Sequence, residues 1–245
     1  MKPIHGRAYG SIPHLFRSCA NGDKFVGTGQ HRIATEKARD SKDLIIVQEK
    51  LDGANVAVLK QDGELIPISR NGHGCMGSSY EQHRIFHRWV MQHHSKFDFL
   101  QEGERLCGEW LILAHGTRYK ISSPLVVFDI IKNGGLDKKY GYRLSYAQFR
   151  ERLPNWFVAP KLLHVGGPCS IEFAMQTLGK FGHHGGLEEV EGAVWRIERE
   201  NKIDFMAKFL RRDPSTIGRY LGHESEEVWN VDINQFRSDL PWVVV

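Results

Sequence analysis

No apolar run in this sequence approaches the ~20 residues that a membrane-spanning helix needs. The opening residues, Met1-Lys2-Pro3-Ile4-His5, lack the apolar core of a secretory signal peptide. Cysteine is scarce: Cys19, Cys75, Cys107 and Cys169 lie far apart with no Cys-x-x-Cys. That pattern argues against a disulfide framework or a zinc site and suits free thiols in a reducing cytoplasm. Internal repeats, low-complexity tracts and obvious linkers are missing too. What remains is an ordinary globular composition, 25% charged and 41% hydrophobic. A chain of 245 residues is long enough for one large domain with small extensions. The net charge of +4 is unevenly placed: residues 1–40 hold seven Lys/Arg against three acids, a surplus equal to that of the whole chain. Such a segment serves either as a phosphate-backbone contact or as a solvated, loosely folded arm.

The pattern along the chain predicts an α+β fold rich in hairpins, with no regular βαβ alternation. Residues 1–42 read as irregular around a short helix near Thr35–Arg39. Strands are expected at 43–49, 54–60 and 64–70, the last two joined by Gln61-Asp62-Gly63. A glycine-rich loop follows Arg70, and Ser79 is placed to cap a helix reaching about His94, with Ile85, Phe86, Trp89 and Val90 on one face. The histidines of that helix read as its polar face. Further strands are expected at 105–111, 124–132, 158–165, 190–197 and 203–210, with serine-capped helices at 145–153 and 170–181.

Two features carry chemistry. An apolar strand delivers Lys50 into a turn marked by Asp52-Gly53. Burial or a cationic neighbour can lower the pKa of such a lysine and make its amine nucleophilic, although Lys-x-Asp-Gly equally suits a plain hairpin turn. Several strands also carry a charged residue where an apolar one is expected: Glu109, Asp129, Glu191 and Lys208. Ionised groups there are costly unless paired or bound to a ligand. Buried salt bridges among these residues are one explanation. A site for a nucleotide triphosphate with a divalent ion is the other.

Six motifs in order decide between them. Glu49-Lys50-Leu51-Asp52-Gly53, Ser69-Arg70-Asn71-Gly72, Gly108-Glu109-Trp110, Val127-Phe128-Asp129-Ile130, Val190-Glu191-Gly192-Ala193-Val194 and Phe205-Met206-Ala207-Lys208-Phe209 resemble the covalent nucleotidyltransferases. That superfamily comprises ATP-dependent RNA ligases, DNA ligases and mRNA capping enzymes, and the sequence is most similar to the RNA ligase 2-like branch. The resemblance implies a ligase-type nucleotidyltransferase domain of mostly antiparallel sheets with flanking helices. It implies that Lys50 attacks ATP to form a lysyl–AMP, that Glu49 reads the adenine amine and that Phe128 stacks on the base. Arg70 and Glu109 would hold the ribose, Asn55 would lie near the adenylate phosphate, and Lys208 would neutralise the α-phosphate. Asp52, Glu109 and Glu191 would grip a Mg²⁺ ion, or Mn²⁺ in its place, largely through water.

The implied reaction joins a 5′-phosphate to a 3′-hydroxyl through an adenylylated 5′ end, on RNA ends or nicked duplex and away from membranes. Two departures bear on it. Polynucleotide ligases usually carry two lysines in the last motif, whereas Met206 stands at the first position here, so that Lys202 or Arg211 would have to substitute. Residues 211–245 are too few for the five strands of an OB-fold, which DNA ligases and capping enzymes append. The expected organisation is a basic N-terminal segment (1–42) packing on the domain, a nucleotidyltransferase domain (43–210) and a short C-terminal extension (211–245), with Trp229 and Trp242 packing on the core. A protein partner could supply end recognition. The alternatives are a minimal DNA ligase sealing nicks and a nucleic-acid-binding module that has lost catalysis.

Overall fold

A computed structural model describes residues 2–4, 6–19, 22, 24–133, 141–211, 218–221 and 227–237. Trp242 and the Gly134-Gly135 turn lie outside the described residues. Two antiparallel sheets face each other. The first has the order β7-β1-β8-β9, from β1 (Asp43–Lys50), β7 (Leu162–Gly166), β8 (Gly192–Arg199) and β9 (Lys202–Leu210). The second has the order β3-β2-β4-β5-β6, from β2 (Ala54–Gln61), β3 (Glu64–Ser69), β4 (Glu104–Trp110), β5 (Leu125–Lys132) and β6 (Tyr142–Arg143). The Asp52-Gly53 turn is therefore not a hairpin. It carries the chain from one sheet to the other, and Lys50 stands at the crossing.

Strand alternation sorts side chains into layers. Ala54, Val56 and Val58 of β2 face a core that they share with Ile85, Phe86, Trp89 and Val90 of α2 (Glu81–Gln92). Ile45 and Val47 of β1 face a second core with Ala174 and Leu178 of α4 (Ile171–Leu178). The remaining faces, Gln48 and Lys50 on one sheet and Asn55 and Glu109 on the other, look into the cleft between the sheets. The sheets are also tied by charge. Arg196 of β8 donates to Asp129 of β5 at 2.5 Å and to Glu198 at 2.6 Å, and Tyr9 Oη donates to Asp129 at 2.7 Å. Asp129 is thus a structural carboxylate with arginine partners.

Expected and observed elements differ chiefly at ends. Ser145 accepts from Gln148 N and opens α3 (Tyr146–Arg152), and Ser170 accepts from Phe173 N to open α4. For α2 the cap falls at Tyr80 rather than Ser79, because the Ser78 hydroxyl accepts from Tyr80 N and pairs with His83 Nδ1. The 158–165 strand begins only at Leu162, consistent with Pro160 having no N–H to give. The N-terminal helix is α1 (Thr28–Thr35), started where Gln30 Oε1 accepts from Gly27 N. Arg39 lies beyond it, pairing with Asp43 and Asp204. A further short helix, α5 (Ile233–Arg237), packs Phe236 into the first core beside Trp229.

Residues 8–19 are built into the domain. Lys208 N donates to Pro13 O, Leu15 N donates to Lys208 O, and Cys19 N donates to Leu210 O, so the segment extends the sheet beyond β9. None of the four cysteines is in a disulfide, and no described helix is long and apolar enough to cross a membrane.

Candidate active site

Lys50 ends β1 with its ammonium 2.5 Å from Glu191 Oε2 and 3.3 Å from Leu51 O. The turn after it is held from three directions. Asp52 N donates to Tyr119 Oη, Asp52 Oδ2 accepts from Gly116 N, and Gly53 N donates to Glu109 Oε1. Gly53 is required by close approach, since a Cβ there would lie 2.5 Å from Trp110 O. Burial alone would push the Lys50 pKa down, but the charges of Glu191, Glu109 and Asp52 outweigh it and hold the pKa above its ordinary value. This reverses the expectation of a lowered pKa: the neighbours are carboxylates. Glu109 moves further, its carboxyl pushed up to about 8 by burial, with Lys50 opposing and Glu191 and Asp52 reinforcing.

A trough of about 1140 Å³ runs past this lysine and meets an inner pocket of about 150 Å³. Lys50, Asn55, Arg70, Glu109 and Lys208 line both, Phe128 lines the inner pocket, and Asp52 and Glu191 line the trough. The sequence-predicted residues therefore converge from both sheets, with one exception in orientation. Glu49 alternates with Lys50 and faces the second core, in register with Ala193 and Phe209. Both its oxygens accept from His183 N, at 3.2 and 3.0 Å, and its side chain has no exposed area. Burial raises its pKa to about 7. Only its strand position borders the inner pocket.

At Met206, neither expected substitute takes the place of a second lysine. Lys202 is exposed at the β8–β9 turn, and Arg211 donates to the carbonyls of Val190, Gly179 and Lys180. Arg143 donates to Met206 Sδ, and Arg196 stands opposite Met206 in register.

Sequence reading missed several residues around the site. Gln48 lines the inner pocket two residues before Lys50, and the period of a strand would have placed it there. Tyr9 and Ile12 form another wall, and Tyr9 meets Phe128 edge-on at 5.1 Å between centroids. No local pattern signals them. His83 and His115 line the trough, both with pKa lowered by burial. Among the described residues no three His, Cys, Asp or Glu side chains stand close enough to hold a metal ion directly.

The fold is similar to that of a Naegleria gruberi RNA ligase. A mutant with ATP and Mn gives a TM-score of 0.54 at 14% identity, covering 86% of this chain and 62% of that one. A mutant with AMP and Mn gives 0.52 at 13%, covering 84% and 58%. An archaeal ATP-dependent RNA ligase gives 0.47 at 17%, covering 82% and 48%. This chain thus spans about half to three-fifths of those proteins' lengths. No curated protein has significant sequence similarity to it. The profile of the RNA ligase family matches residues 43–210, β1 through β9, and by that match this chain belongs to the RNA ligase family.

Proposed function

We propose that this chain joins RNA ends at the expense of ATP, through an AMP carried on Lys50. The observation that carries the reading is the Lys50 ammonium at the meeting of trough and inner pocket, ringed by Glu191, Glu109 and Asp52. In the free protein that amine is protonated and paired, so it is not yet a nucleophile. Glu191, at 2.5 Å, is placed to take its proton. The freed Nζ then forms a bond to the α-phosphorus of ATP while the bond from that phosphorus to pyrophosphate breaks. Lys208, on the pocket wall, would neutralise charge on the α-phosphate. Phe128 would stack on the base, and Arg70 and Glu109 would hold the ribose. The AMP then passes to a 5′-phosphate, and a 3′-hydroxyl displaces it. Both steps depend mainly on positioning and charge neutralisation.

A divalent cation fits this donor set in one way only. Three carboxylates stand around Lys50, the Glu109 carboxyl pushed up mainly by burial and further by Glu191 and Asp52, yet they do not converge on a single point. Hard oxygen donors at that spacing suit Mg²⁺ or Mn²⁺ held through its waters. The ion would supply neutralisation of the triphosphate's charge, and Asp52, Glu109 and Glu191 would hold it.

The test is direct. With labelled ATP and Mg²⁺ the intact protein should gain the mass of one adenylyl group, and Lys50→Ala should remove it. Label on a different lysine, or no adduct at all, overturns the reading.

A further inference from the structure

The segment that extends the first sheet beyond β9 is itself paired on its outer side. His14 N donates to Lys24 O and Val26 N donates to His14 O, each at 2.8 Å, so residues 24–26 add a further edge. Single parallel bridges pair Lys208 with His14 and His14 with Phe25. Residues paired across a sheet project from the same face. Alternation agrees: Leu15 and Val26 are buried in the second core, while His14 lines the trough with Lys208. A row therefore runs across the cleft face from Val194 through Lys208 and His14 to Phe25. His14 is buried, with Nδ1 2.6 Å from Ser18 Oγ, whereas Phe25 at the end of the row is 48% exposed. Other rings gather around it. The centroids of His14 and Phe16 lie 5.9 and 6.5 Å from that of Phe25, and His31 stacks on Phe16 at 4.5 Å. Arg17, Lys24 and Arg32, sequence neighbours of these rings, are exposed, with Glu36 4.0 Å from His31 as a counter-charge.

We infer that Phe25 is a stacking platform for the base of the nucleotide that carries the 5′-phosphate to be joined. This rests on the proposed function, which puts the adenylate phosphate at Lys208, and it extends the site outward from there. Neighbouring strands stand about 4.8 Å apart, so Phe25 lies about 10 Å from Lys208 across two strand spacings. One nucleotide, from its 5′-phosphate to the face of its base, is long enough to cross that gap. A half-exposed ring beside exposed cations has the chemistry of single-strand binding: the ring takes a base of any kind and the cations follow the backbone. An apolar protein partner would cover Phe25 but leave Arg17, Lys24 and Arg32 without opposite charge. A chain of phosphates satisfies both. The occupant is therefore an unpaired RNA strand, and its first base is sensed for its presence and not for its identity.

The experiment is a cycle that removes the ring and the base separately. The probe is a short 5′-adenylylated single-stranded RNA, blocked at its 3′ end and kept with a chelator so that no chemistry occurs. A second RNA lacks only the base of the first nucleotide after the adenylate, and a third lacks only its last base. Fluorescence anisotropy gives each dissociation constant, and ratios taken within one variant cancel differences in folded fraction. For wild type, loss of the first base should weaken binding about tenfold, the scale of one stacked base. Phe25→Ala and Phe25→Leu should bind the first two RNAs alike, the leucine showing that the ring counts and not apolar bulk. Phe25→Tyr should restore the wild-type ratio. An undiminished ratio in Phe25→Ala, or a wild type indifferent to the first base, overturns the inference. So does a Phe25 effect that appears only with the RNA lacking its last base. None of these measurements needs an adduct on Lys50. Labelling by ATP tests the proposed function, so each reading can fail alone.

Discussion

At Lys50 the neighbours set the protonation state, and the sign runs against the usual picture of an activated lysine. Burial lowers the pKa, Glu191, Glu109 and Asp52 raise it, and the carboxylates win. Only the neutral amine can attack phosphorus. The rate of adduct formation should therefore climb as pH rises from 6 to 9. Replacing Glu191 with Gln removes both the largest raising influence and the proton acceptor. The remaining neighbours then hold the amine less firmly protonated, so the rise with pH should begin at lower pH. The maximal rate should nonetheless fall by about 10²-fold, the scale of a lost general base. Initial rates of labelling across that pH range, with circular dichroism to confirm folding, give both quantities. Undiminished labelling in Glu191→Gln would make this carboxylate a structural partner of Lys50 and nothing more.

Among the elements, strands with local signatures were legible and the segment that completes their sheet was not. The β2–β3 hairpin announces itself by Gln61-Asp62-Gly63, and Asp62 and Gly63 both take positive φ, 54° and 78°. The helix caps at Ser145 and Ser170 follow from side-chain chemistry within four residues. The same local reading saw a turn after Lys50 but not that it joins two sheets, because pairing partners are set by contacts far away in sequence. Residues 8–19 have no strand-like alternation, yet the backbone of Lys208 is bonded on both sides by Pro13 and Leu15. Leu15, fully buried in the second core, anchors that segment. Leu15→Ala should destabilise the protein by about 2–5 kcal/mol, read as a lower midpoint in urea. It should also slow adduct formation well below that midpoint, because the strand that presents Lys208 loses its neighbour. An unchanged midpoint would mean that the segment only lies against the sheet.

For the whole molecule, the proposed chemistry would separate making the adenylate from using it. Lys50 comes from the sheet that also carries Gln48 and Lys208, whereas Asn55 and Glu109 come from the other sheet, and Arg70 follows its strand β3. Asp129 of one sheet and Arg196 of the other form an ion pair at the inner pocket, which both residues line. On the proposed chemistry, Lys50 would be needed only while AMP is being taken from ATP. Supplying a 5′-phosphate end that already carries AMP should bypass it. Lys50→Ala should then seal such an end at a rate within about tenfold of wild type, as expected when a residue has no part in the step being measured. Glu109→Ala and Lys208→Ala should fail at both steps, because the AMP remains to be held. The strand that offers the 3′-hydroxyl should have to end in RNA, since the 2′-hydroxyl is the group that distinguishes it from DNA. Contact with phosphates through exposed arginines such as Arg7, Arg17 and Arg32 should make sealing fall steeply with salt. The measurement is sealing of pre-adenylylated nicks with an RNA or an all-DNA 3′ strand at two salt concentrations. Equal sealing of the all-DNA nick would move the assignment to DNA strand joining. A protein that takes up AMP yet seals neither nick would place end recognition on a partner.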